Sequence, residues 1–209
     1  MTGVTTVVAD EEAAPMSTPG KREIRGWKSM MDDAARRLEA ATGRTVAEWN
    51  GLVREEDPRD EPALRRWLTA QGVGGYSQDL LVYERHGYPD FLLTDPAELI
   101  DNQYADRPDL RPVCDAVLEA ACSVGDDVVV QARKTYISLV APKRTFAVVK
   151  ATTRRRVDVG LNLPGREPGG RLLSAKSLAH GTVRVALESP DQVDDEFTRL
   201  LAEAYRANT

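Results

Sequence analysis

Cysteine and histidine are scarce in this sequence, two of each in 209 residues. Transition-metal sites need clustered thiolate and imidazole donors, so no metal is expected, and no pattern implies a cofactor. Cys114 and Cys122 fall in one predicted helix, where eight residues at about 1.5 Å rise set them roughly 12 Å apart, too far for a disulfide. His86 and His180 stand alone in the chain and read as surface or helix-end residues rather than general bases. Aromatic residues make up only 6% of the composition, which leaves little material for the stacking platforms of single-strand RNA binders. No apolar run approaches the ~20 residues of a membrane span. The opening MTGVTTVVADEEAAPMSTPGKR puts acids where a secretory signal needs its apolar core. The chain therefore reads as a soluble, cytosolic protein without a membrane partner.

Charge is plentiful but unevenly placed. The net charge of −5 conceals 14 Lys and Arg against 8 Asp and Glu in residues 128–209, a balance of +6, and 14 against 25, or −11, in residues 1–127. Such a division fits a basic half that meets a polyanion, or an acidic segment that shields a basic one.

Along the chain, residues 1–24 are polar and without period and are expected to be a disordered tail. Residues 27–87 read as a small helical domain. Trp27, Met30, Met31, Ala34 and Leu38 form one helical stripe ending at Gly43. Thr45 and Glu48 have capping-box spacing for a second helix to about Arg54, Pro62 opens a third, and Ser77 a fourth through His86. Residues 88–108 form a connector with a short helix capped at Asp95. Residues 109–207 read as an α+β domain: a helix over 109–123, about five short strands rich in β-branched residues, and a last helix starting at Ser189. The expected fold class is α+β, with an antiparallel sheet packed by flanking helices.

Period-two alternation puts Val157, Val159, Leu161 and Leu163 on one strand face and Arg156, Asp158, Gly160 and Asn162 on the other, with Arg184 turned outward like Arg156. Between residues 128 and 184 there are 12 basic residues and two acids, Asp158 and Glu167. Arg133, Lys134, Lys143, Arg144, Arg154, Arg156, Asn162 and Arg184 are therefore the candidate anion-binding residues, with Tyr136 and Phe146 as a stacking surface. The expected partner is nucleic acid or another polyanion. One alternative is a small anionic metabolite, or an enzyme substrate, held by Arg156, Asn162 and the 164–171 loop. Another is a protein partner, with the acidic helical region covering a basic sheet. An outward polar face is also what any half-covered antiparallel sheet presents.

Recognised catalytic patterns do not fit. GREPGGRL follows a strand with glycines spaced like a phosphate loop, but Arg171 and Leu172 stand where lysine and a hydroxyl are needed. KRTFAVVKA offers only Phe146 where an RNA-recognition strand shows three aromatics. No nucleophile-elbow serine or deaminase signature is present. The protein is read as a binding protein rather than an enzyme.

KTYISLVAPKRTFAVVKATTRRRVDVGLNLPGREPGGRL and VRVALESPDQVDDEFTRLLAEAY, within residues 109–207, resemble a bacterial domain of unknown function found at the C-terminus of so-called predicted transport proteins. LEAATGRTVAEWNGLV and ALRRWLTAQGVG resemble a small helical domain of unknown function often fused before it. The helical family's Gly-His-rich approach to its third helix is replaced here by GGYSQD. At fold level the C-terminal domain is similar to frataxin-like and YjbR-like α+β domains, a likeness that implies architecture and no activity.

Overall fold

The computed structural model describes residues 24–209 except 176, 177 and 179. Residues 1–23, most of the expected tail, lie outside the described residues. Ile24 does not belong to such a tail, because Ile24–Arg25 forms a strand, β1.

The helical region is built as its caps and stripes predict. α1 (Trp27–Thr42) buries Met30, Met31, Ala34 and Leu38 and stops at Gly43, whose φ of 69° is left-handed. α2 (Val46–Glu56) starts on the Thr45–Glu48 box, with the Glu48 amide donating to Thr45 Oγ1 at 3.3 Å and the Thr45 amide to Glu48 Oε2 at 2.7 Å. α3 (Glu61–Ala70) takes Asp60 as its cap, which places Pro62 second rather than first in the helix. α4 (Gly75–His86) begins two residues before Ser77. Leu38, Trp49, Val53, Leu64, Leu68, Leu81 and Val82 form one core here. α5 (Asp90–Leu93) and α6 (Pro96–Tyr104) follow, the latter capped by Asp95.

After α7 (Arg111–Ser123) come β2 (Val129–Ala132), β3 (Ile137–Val140), β4 (Thr145–Thr153), β5 (Arg156–Leu161), β6 (Leu173–Ser174) and β7 (Val183–Leu187), then α8 (Asp195–Ala207). The sheet order is β1-β2-β3-β4-β5-β7-β6, antiparallel except for the parallel β1–β2 pair. Seven strands replace the expected five, because β1 and β6 have two residues each, too few to show any period. Ser189 and Gln192 do form a capping box, but on a 3-10 turn; Asp194 caps α8 itself, accepting from the Phe197 amide at 2.9 Å.

Val113, Val117 and Leu118 of α7 and Phe197, Leu201 and Ala204 of α8 share one core with Val149, Val157, Val159 and Val185. That valine-rich sheet face is the covered one. The opposite face presents Lys150, Asp158, Gly160 and Arg184, set side by side by the β4–β5–β7 register. The crossover between β5 and β7 folds back over part of it. A Cβ on Gly160 would lie 3.2 Å from Leu178 Cβ, so glycine permits this close approach. Among the described residues no helix is long and apolar enough to cross a membrane.

Candidate anion-binding site

The cations of the basic segment do not gather on one face. Arg133 and Lys134 sit in the β2–β3 turn and Arg154 and Arg155 in the β4–β5 turn, whereas Lys143 and Arg144 sit in the β3–β4 turn. Antiparallel order sends alternate turns to opposite sheet ends, here separated by the nine residues of β4, a span of about 30 Å. The expectation of a single basic face is corrected accordingly.

Several candidates are engaged elsewhere in the molecule. Arg133 lies 5.0 Å above the Trp27 ring, donates to Met30 Sδ, and reaches Gln131 Oε1 at 2.8 Å. Lys134 Nζ is 5.3 Å from the Phe91 ring. Gln103 Nε2 donates to the Arg133 and Tyr136 carbonyls at 2.8 and 3.3 Å. This turn latches the sheet to the helical region, with Tyr136 half-buried beside it. Arg154 is exposed, and its charge helps hold the Asp106 carboxyl below the ordinary range, after the larger effect of the Arg107 hydrogen bonds. Lys143 and Arg144 are exposed in their turn.

Phe146 offers no stacking surface. It is 0% exposed, inside the sheet–helix core, with Tyr205 edge-on at 5.6 Å. Its place in the covered core follows from the register shift between Leu139 and Val140, which breaks simple alternation at the start of β4. Asn162 is likewise committed: its Nδ2 donates to Asn208 Oδ1 at 2.7 Å and Thr145 O at 3.3 Å, tying α8 to the sheet. It also stands six residues along from Arg156, roughly 20 Å in an extended strand. In the 164–171 loop, Arg171 bonds both Asp194 oxygens at 2.6 and 2.8 Å and stacks over Phe197. Arg156, Asn162 and this loop therefore do not converge.

What the fold does bring together is a triad around Asp158. This carboxylate is 1% exposed, and burial of a charge is sustainable only with close, well-made partners. Arg156 Nε lies 3.0 Å from Oδ1 and its Nη2 3.2 Å from Oδ2; Arg184 Nη1 reaches Oδ1 at 2.7 Å, and Thr152 donates its hydroxyl to Oδ2. Arg184 Nε also donates to Ser174 O at 3.1 Å, so β6 helps orient it. The arginine side chains remain 32% and 19% exposed. Lys150 pairs with Asp158 in the β4–β5 register and points to the same face. Three cations thus face one carboxylate, and both guanidiniums are held in fixed orientation with N–H groups left for solvent or ligand.

Sequence reasoning placed Arg156, Asp158 and Arg184 on one face but took Asp158 as incidental. The signal was present in its being one of two acids among 12 bases, directly between arginines once the strands pair. Arg107, outside the strands, went unnoticed. Its guanidinium grips Asp106 in a fork at 2.8 and 3.0 Å and donates to the Ala151 and Thr153 carbonyls at 2.9 and 3.3 Å, securing the end of β4.

A family model described as a domain of unknown function, DUF5655, matches residues 100–208. The chain belongs to this family. The match spans more than half of the protein, begins inside α6, and contains β2 to β7, α7, α8 and the whole Asp158 triad. The helical region from α1 to α5 precedes it. No curated protein and no solved structure matches the chain.

Proposed function

We propose that this DUF5655 protein is a non-enzymatic binding protein that receives an anionic group, the phosphate of a nucleic acid or of a metabolite, at Arg156 and Arg184 on the sheet face turned away from α7 and α8. One observation carries the reading: a buried carboxylate fixes two partly exposed guanidiniums side by side, with Lys150 adjacent. Pre-oriented arginine forks suit the paired oxygens of phosphate, and ordering them before binding removes an entropic cost of recognition. The exposed Arg154 and Arg155, in the turn joining β4 to Arg156, extend the cationic surface beyond the triad. The helical region is read as a second unit of unknown function that the Arg133–Trp27 latch holds against the sheet domain.

The test is binding of a labelled mixed-sequence oligonucleotide, and separately of inorganic phosphate, by the full chain at low and raised salt. Replacing both arginines alone would strand Asp158 in the interior, so the informative variant is R156Q/D158N/R184Q, which keeps polar partners while removing the charges. Salt-sensitive binding that weakens at least tenfold in this variant supports the site, and preference for oligonucleotide over phosphate identifies a polymer. Absence of binding to both probes at low salt, or equal binding by the variant, rejects it.

A further inference from the structure

We propose that the groove between α1, α4 and the α5–α6 segment is a binding site for a small organic cation, an amine carried on an apolar or aromatic body. The groove has a volume of about 810 Å³, inside the roughly 300–1,000 Å³ range of small-ligand sites. Trp27, Met31, Leu80, Leu92 and Pro96 supply apolar lining, and Leu93, 72% exposed, continues it at the surface.

Its polar lining favours positive charge. Asp32 of α1 and Glu84 of α4 both line the groove and both act on the Tyr88 hydroxyl, which donates to Glu84 Oε1. The other Glu84 oxygen accepts from Asn50 Nδ2 at 3.2 Å. These partners are neutral, and among the described residues neither Asp32 nor Glu84 forms an ion pair. Asp95 also lines the groove, so its carboxylates outnumber Arg25 and Lys28 by three to two. An apolar ligand body covering the lining would exclude water and strengthen the attraction between its ammonium group and these carboxylates. The Trp27 and Tyr88 rings, also in the lining, favour a cation over their faces. The site is separate from the Asp158 triad and selects the opposite charge, so either can fail without the other.

The probe is phenethylammonium, titrated into the full chain and followed by calorimetry and tryptophan fluorescence, with 2-phenylethanol and phenylacetate as neutral and anionic counterparts. We expect half-saturation below about 1 mM, at least tenfold weaker binding of the alcohol, and none of the acid. The D32N/E84Q variant should lose about tenfold in affinity with an unchanged melting temperature, because its amide oxygens still accept from Tyr88 and Asn50. If that variant melts early, Asp32→Asn alone provides the same reading without touching the Tyr88 bond. Binding of the alcohol as tight as that of the amine, affinity unaltered by these substitutions, or no binding up to about 10 mM overturns the assignment.

Discussion

Asp158 illustrates how one side chain can organise a surface from below. Its oxygens accept from Thr152 on β4, Arg156 on its own strand and Arg184 on β7, so a single carboxylate crosslinks three neighbouring strands. Removing it leaves two guanidiniums facing each other with nothing between them, whereas removing one arginine leaves a buried charge with one cation fewer. Breaking such a pair from one side costs about 3 kcal/mol. We expect Arg184→Ala to destabilise more than Arg156→Ala, because Arg184 is the less exposed, 19% against 32%, and also holds Ser174. Urea denaturation midpoints of the two variants check the order; equal midpoints would mean that Thr152 and the remaining arginine satisfy Asp158 on their own.

At the scale of elements, the start of α8 is fixed by a cluster that spans the β5–β7 crossover. Asp194 caps the helix through the Phe197 amide and is clamped by Arg171, which also bonds Gln192 O. The Phe197 amide first, and then the Arg171 hydrogen bond, hold the Asp194 carboxyl below its ordinary value of 3.8. In the unfolded chain this group protonates at the ordinary value; in the folded protein it does so at lower pH. Its contribution to stability is thus complete above the ordinary value and is lost as pH falls through the lowered folded value. Melting curves between about pH 5 and 2 should show the wild type losing more stability on acidification than Asp194→Asn; parallel curves would remove Asp194 from the acid response. Much at this scale was legible in the chain. The stripes of α1, α7 and α8, the Thr45–Glu48 box and the valine alternation of β5 are local patterns, and local hydrogen bonding with apolar period specifies them. The two-residue strands β1 and β6 were not legible, since each exists only through its neighbour.

For the whole molecule, the division of charge between residues 1–127 and 128–209 does not act as an acidic cover over a basic sheet at the β2–β3 turn. There, the cations meet aromatic rings: Arg133 over Trp27 and Lys134 over Phe91. This contact, with Gln103 bonding the same turn, joins the helical region to the sheet. Trp27→Ala should therefore raise amide hydrogen exchange in α1 and in the β2–β3 turn while leaving β4 and β5 protected. Unchanged exchange at that turn would place the hold in the β1–β2 pairing alone. The cationic candidates fared unevenly for a reason visible at this scale. Arg156 and Arg184 were assigned the right face by alternation, but the turn cations went to opposite ends and Phe146 turned into the core at a register shift.

The amino-acid order alone determined the helices, the main strands, the α+β class and the apolar faces, because each depends on residues a few positions apart. Tertiary structure decided what the charges are for. Arg184 finds Asp158 across 26 positions and Arg133 finds Met30 across 103, and such pairings depend on strand register and packing, which no local period encodes.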